Sequence, residues 1–176
     1  MSRPPGEPVP EPRLTHLDAS GSARMVDVSG KPVTAREATA VGRVLCSPQV
    51  IALLRDGSVP KGDALGVARL AGIQAAKRTP DLVPLAHPVA VHGVDVGLAV
   101  VDDGVDITAT VRTADRTGVE MEALTCVAVA GLALVDMVKA VDRSAEITGV
   151  RVVAKSGGRS GDWRVPERRA TGGETR

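Results

Sequence analysis

The sequence predicts an α+β fold with one antiparallel sheet and helices packed on one of its faces. Three observations carry this. Residues 105–111, Val-Asp-Ile-Thr-Ala-Thr-Val, alternate cleanly between apolar and polar, as a strand with one buried face does. Residues 91–101 alternate well enough to pair with them, and Asp102-Asp103-Gly104 between the two runs has hairpin-turn chemistry. Val119 to Val141 is a long apolar stretch that suits a helix. With helices before the hairpin and a strand at each end, the order is strand, helices, hairpin, helix, strand. That order closes naturally as a ferredoxin-like sandwich, because each helix needs a sheet on which to bury its apolar stripe.

The elements follow in chain order. Met25-Val26-Asp27-Val28 reads as a short strand. Ala35 to Leu45 mixes Ala, Val and charge and is compatible with strand or helix. Ser47-Pro48 is an N-cap followed by Pro at the first helical position, opening a helix to about Arg55 that Asp56-Gly57 closes. Asp63 caps the next helix, through Leu65, Ala68, Leu70, Ile73 and Ala76. Pro80, Pro84 and Pro88 argue against regular structure from Thr79 to Pro88. Glu146 to Ala154 alternates again and is the last strand. Residues 1–12 and 166–176 read as flexible tails around a single domain at 13–165.

Composition narrows the function. The chain has 176 residues, a formal net charge of +1 and two cysteines, Cys46 and Cys126, far apart and in no pair motif. Such a charge gives no broad basic field for nucleic acid or anionic lipid. Lone cysteines suit a reduced, cytoplasmic protein. There is no Phe or Tyr, and Trp163, the one Trp, lies outside the predicted strands, so the sheet has no aromatic platform on which bases would stack. A core of Val, Leu and Ala buries little area per side chain, and oligomerisation is a common remedy.

The chemistry-bearing residues gather at a few places. With Glu122 at 0° on a helical wheel, Thr125 falls at about 300°, Asp136 at about 320° and Lys139 at about 260°, one polar stripe on an otherwise apolar rod. Gly131 falls opposite it. A plain solvated helix face has the same look, but charge is scarce along the rest of this stripe, which favours a site. Glu122 and Asp136 are separated by roughly 21 Å of helix, so either the ligand is long or each end serves a site completed by another subunit. Asp136 and Lys139 are close enough to form an ion pair or an acid–base pair. Gly57 to Asp63 nearly copies a phosphate-binding loop, with Asp63 where the Lys would be, and Lys61 sits beside the coming helix N-terminus. Leu85-Ala86-His87-Pro88 mounts a His in a Pro-locked loop. His87 and His92 have poor metal-ligand spacing, and no zinc site is expected. Residues 155–162, Lys-Ser-Gly-Gly-Arg-Ser-Gly-Asp, form a Gly- and Ser-rich loop that suits phosphate or is a plain turn. Together these describe an oligomeric α+β domain with an anionic, phosphorylated ligand and Lys, Asp, Glu and His chemistry.

Longer strings go further. Leu14-Thr15-His16-Leu17-Asp18, Met25-Val26-Asp27-Val28, Lys61-Gly62-Asp63 and residues 71–79 (Ala-Gly-Ile-Gln-Ala-Ala-Lys-Arg-Thr) resemble the cyclic pyranopterin monophosphate synthases, the MoaC family of molybdenum cofactor biosynthesis. So do Pro84-Leu85-Ala86-His87-Pro88, residues 117–125, Asp136-Met137-Val138-Lys139-Ala140 and residues 154–158, in order from about Leu14 to Val165. The resemblance implies a lyase that converts 3′,8-cyclo-7,8-dihydroguanosine 5′-triphosphate to cyclic pyranopterin monophosphate and diphosphate. It also implies a ferredoxin-like subunit in a homohexamer, a trimer of dimers with sites between subunits. By the same resemblance Asp136 takes the catalytic position, with Lys61 and Lys139 as the lysines of proton transfer. Leu85, Ala86 and His87 match a substrate-contacting tripeptide, Met121 and Glu122 a substrate-contacting pair, and Glu120, Asp27, Arg36 and Lys155 further pocket residues. The implied reaction involves no net redox change, so no cofactor is expected. The family often has Cys where this chain has Ala86; a role for that position through backbone contacts accommodates the change. A non-catalytic paralogue that binds nucleotide or assembles with others, and a different enzyme on the same scaffold, are the competing readings.

Overall fold

A computed structural model describes residues 20–159 and 161–166. The expected tail at 1–12, the string Leu14–Asp18 and the end of the chain after Pro166 lie outside the described residues. The elements are β1 (Thr34–Leu45), α1 (Pro48–Arg55), α2 (Ala64–Ala76), α3 (Thr79–Leu82), β2 (Val91–Val100), β3 (Gly104–Asp115), α4 (Glu120–Val138), β4 (Glu146–Ser156) and β5 (Trp163–Arg164). The sheet is antiparallel, in the order β2-β3-β1-β4-β5, with the helices on one face. Without the short β5, this is the α+β sandwich that the element order predicts.

Local chemistry fixes the first helices. The Ser47 side chain accepts from Val50 N–H, Pro48 occupies the first turn, and α1 ends at Arg55 with Gly57 at φ +66°. Asp63 accepts from Gly66 N–H at 2.8 Å and starts α2. The segment 35–45 resolves to strand because it sits between β3 and β4 and alternates Ala38, Ala40 and Val44 inward with Glu37, Thr39 and Arg43 outward. On β3, Val105, Ile107, Ala109 and Val111 point to the same core. The opposite face is polar: Thr39 and Thr110 share a hydrogen bond of 3.0 Å, Arg43 pairs with Asp103 and Asp106, and Arg112 pairs with Glu37 and Asp95.

α4 is long and apolar enough by composition to cross a membrane, yet here it lies between the sheet and α2 with Cys126, Val127, Ala130 and Leu134 fully buried. A core of small side chains requires close approach of backbones. Gly42 provides it where α4 crosses β1, since a Cβ there would stand 2.7 Å from Val127 Cγ1. Gly72 provides it between α2 and α4, where a Cβ would stand 2.9 Å from the Cys126 carbonyl oxygen. Gly131 faces Ile147 of β4, as its place opposite the polar stripe predicts.

Four boundaries differ from the sequence reading. Met25–Val28 is not a strand: β1 is already paired on both edges, and the Val26 carbonyl accepts from a side chain instead. Thr79–Leu82 is a single helical turn, because Pro80 falls at its start, where a missing N–H costs nothing. α4 stops at Val138, with Lys139 as its C-cap, three residues short of Val141. Trp163 belongs to β5, a two-residue strand held only by its pairing with β4.

Candidate active site

The residues singled out in the sequence fall into two groups, one at each end of α4. At the C-terminal end, Asp136 receives both lysines. Lys61 Nζ donates to the Asp136 main-chain oxygen at 2.7 Å and to its Oδ2 at 3.1 Å, while Lys139 Nζ lies 2.6 Å from Oδ1. Each carboxylate oxygen therefore holds one amine. These bonds, first from Lys139 and then from Lys61, keep the Asp136 carboxyl below its usual range, so it is ionised at neutral pH. The group is solvent-facing, with the Asp136 side chain 56% exposed. The helical spacing predicts the Asp136–Lys139 pair. Lys61 arrives from the loop between α1 and α2; there Gly62, at φ +98°, lets the chain turn before Asp63 caps α2. That loop is not a phosphate cradle, since Asp63 is spent on the cap and Lys61 on Asp136.

At the N-terminal end of α4 lies a pocket of about 580 Å³, lined by Leu85, Ala86 and His87 from the Pro-locked loop and by Glu120, Met121 and Glu122 from the first turn of the helix. Val26 and Val28 close another side. His87 Nε2 lies 2.6 Å from the Val26 carbonyl, an acceptor, so Nε2 carries the hydrogen and fixes both the ring and the 25–28 segment. Glu122 is only 2% exposed. Burial pushes its carboxyl up from the ordinary value, and the neighbouring Glu120 charge adds to the effect. Glu120 is held by Lys155 at 3.1 Å.

A smaller concavity of about 130 Å³ adjoins, sharing Lys31, Thr117, Gly118 and Glu120 with the first and adding Arg36, Arg116 and Lys155. Four cations against two carboxylates, Glu37 and Glu120, leave this wall with a net positive charge beside the larger, partly apolar pocket, a surface suited to phosphate. Lys31, Arg116 and Arg159, the last lining the larger pocket, are absent from the sequence-derived site. Arg159 had a visible signal in its Gly-rich loop; Lys31 and Arg116 had none. Asp27 does not line either concavity as an anion: its carboxylate accepts Ser29 N–H at 2.8 Å and closes its own turn. In the Gly-rich loop, Gly157 N–H donates to Asp162 and Gly161 N–H to the Gly158 carbonyl, so these two N–H groups bond within the loop. Among the described residues no group of three His, Cys, Asp or Glu side chains comes together to hold a metal ion.

Comparison with known proteins gives a consistent match. The MoaC family model covers residues 25–158. A cyclic pyranopterin monophosphate synthase of Streptomyces coelicolor is 68% identical over 154 residues, which is 88% of this chain and 91% of the relative. One from Streptomyces griseus is 70% identical over 152 residues, 86% of each chain. A cyclic pyranopterin monophosphate synthase 2 of Mycobacterium tuberculosis is 57% identical over 150 residues, 85% of this chain and 90% of the relative.

Proposed function

The chain belongs to the MoaC family, and from that premise we propose that it makes cyclic pyranopterin monophosphate and diphosphate from 3′,8-cyclo-7,8-dihydroguanosine 5′-triphosphate by acid–base catalysis at Lys61, Asp136 and Lys139. The enzyme class and its place in molybdenum cofactor biosynthesis follow from the family. The observation that carries the residue assignment is the Asp136 carboxylate with an amine on each oxygen.

The reaction opens and recloses rings, forms a cyclic phosphate and expels diphosphate, so protons must move at nitrogen, carbon and oxygen centres. Two ammonium groups on one carboxylate suit this: an ammonium that delivers a proton becomes an amine able to take one up at a later step, and Asp136 balances the charge between them. Lys61 is also fixed to the main chain of Asp136, which keeps its amine in place while the carboxylate partners change. At the other end of α4, Leu85, Ala86, His87, Met121 and Glu122 hold the base-derived part of the substrate. Lys31, Arg116 and Lys155 oppose the triphosphate, and Arg36 lines the same concavity. Ala86 takes part in the wall without a thiol.

The two groups stand roughly 21 Å apart along α4. Our reading is therefore that a second copy brings its Lys61, Asp136 and Lys139 to the pocket at Glu122, in a cytoplasmic hexamer built as a trimer of dimers, with residues 13–165 forming one catalytic domain. The test supplies purified protein with the cyclised dihydro-GTP and assays cyclic pyranopterin monophosphate and diphosphate. Product from wild type, and none from a folded Lys61→Ala variant, is the expected result. A folded wild type that makes no product overturns the reading in favour of a non-catalytic paralogue.

A further inference from the structure

The loop after β4 presents a problem that the catalytic reading leaves open. Its glycines resemble a phosphate nest, but the N–H groups of Gly157 and Gly161 are used inside the loop. What the glycines permit is contact with the start of β1. A Cβ on Gly157 would lie 2.2 Å from the Ala35 carbonyl oxygen, and one on Gly158 would lie 2.2 Å from Arg36 Nη1. Both residues have positive φ, +83° and +73°. The loop is thus seated on Arg36.

Arg36 is engaged on its other side as well. Its Nε donates to the Asp115 carbonyl at 3.0 Å and its Nη2 to the Arg116 carbonyl at 3.2 Å. Those carbonyls mark the end of β3, where the Thr117–Gly118 wall of both concavities begins. A planar fork of donors reaches two adjacent carbonyls and still lies flat against a glycine; a lysine ammonium reaches one of them and has no face to offer. Lys155 stands where the loop leaves β4, and Arg159 stands within it.

We propose that Arg36 is a positioning residue, which clamps the Gly157–Gly158 loop to the end of β3 and so sets where Lys155 and Arg159 meet the substrate. The inference rests on the reading of this pocket as the substrate site, but the clamp itself is a property of the protein without substrate. The chain carries its own reporter: Trp163, the one Trp, is 47% exposed and pairs with Lys155 across β4 and β5.

The experiment compares Arg36→Ala, Arg36→Lys, Gly158→Ala and the double variant R36A/G158A. Trp163 emission and anisotropy are read without ligand, GTP is the binding probe, and KM and kcat are measured with the cyclised dihydro-GTP. Each single variant is expected to move Trp163 emission to the red, lower its anisotropy and raise KM by about 10- to 100-fold, the scale set by a displacement of about 1 Å in a positioned group. The double variant should be no worse than the worse single one, because both break one contact. Raised KM in Arg36→Ala with unchanged Trp163 emission would overturn the clamp and make Arg36 a direct ligand of the substrate. So would wild-type emission and KM in Gly158→Ala; if that variant does not fold, Arg36→Lys carries the same comparison. Because emission is read without substrate, a wild type that forms no product still tests the clamp, and the two proposals fail separately.

Discussion

Asp142 joins two turns that are far apart in sequence, and replacing it tests how much that junction holds. It lies in the turn after α4, is 7% exposed, and accepts three bonds: Ser47 N–H at 2.7 Å, Ser144 N–H at 2.8 Å and Ser144 Oγ–H at 2.6 Å. Ser47 is the N-cap of α1, so the carboxylate ties the start of that helix to the turn after Lys139. A hydrogen bond to a charged group contributes about 1.5–3 kcal/mol. The two Ser144 bonds are local and do not add fully to the first. Asp142→Ala should therefore cost about 2–4 kcal/mol, or about 5–15 °C in Tm for a domain of this size. The pH dependence has a definite sign. The bonds from Ser144 and Ser47 lower the carboxyl in the folded protein, so the stabilisation is present above the unfolded value of about 3.9 and is lost as pH falls through the lower folded value. Urea denaturation of wild type and variant from about pH 8 down to about pH 3 should show a constant gap above about pH 5 that closes at the acid end. A gap below about 1 kcal/mol at neutral pH, or one that widens toward acid, refutes the reasoning.

Two further predictions concern cysteine. Ala86→Cys, which restores the residue often found at this place in the family, should change kcat by less than about threefold, because the proposed proton transfers need no thiol; a sharply higher turnover would assign chemistry to that position. Burial pushes the Cys126 thiol up to about 12 and the Cys46 thiol up to about 11, the latter with help from Asp142. In the native protein at about pH 8, both should react with iodoacetamide at least about 100-fold more slowly than an unshifted thiol, since the thiolate is the nucleophile. Rapid labelling of either without unfolding contradicts the burial that accounts for these shifts.

How much was legible in the sequence depends on whether the deciding interaction is local. α1 and α2 are readable because Ser47-Pro48, Asp56-Gly57 and Asp63 act within one turn of the ends they set. β5 was not, since two residues become a strand only through a partner already in place. Met25–Val28 has the alternation of a strand but no vacant edge beside β1. The site divides in the same way. Helical spacing alone gives the Asp136–Lys139 pair, whereas the Lys61 bond spans 75 positions and came from the resemblance. The wheel placed Glu122 and Asp136 on one stripe, yet the first is buried and the second largely exposed. Periodicity reports the angle of a side chain and not what covers that turn. Arg36 was legible only as a pocket cation; its two carbonyl partners and its glycine neighbour are set by tertiary packing.

The separation of the two groups along α4 leads to a prediction about the assembly that no single-chain variant can make. If Lys61 and Glu122 acted in one chain, mixing a Lys61→Ala protein with a Glu122→Ala protein would restore nothing, because every chain would carry one defect. If the lysine cluster of one copy completes the pocket of another, a mixed assembly contains some sites with neither defect. For random assembly from an equal mixture, a site takes an intact lysine cluster with probability one half and an intact pocket with probability one half, so about one quarter of wild-type activity should return. The chains are co-refolded, or exchanged until subunits mix, and the product assay is compared with each variant alone. Recovery near one quarter requires the two ends of α4 to serve one site across an interface. No recovery from a well-mixed sample means instead that Glu122 and Lys61 act in the same chain. Their distance along the helix would then have to be bridged by the substrate itself.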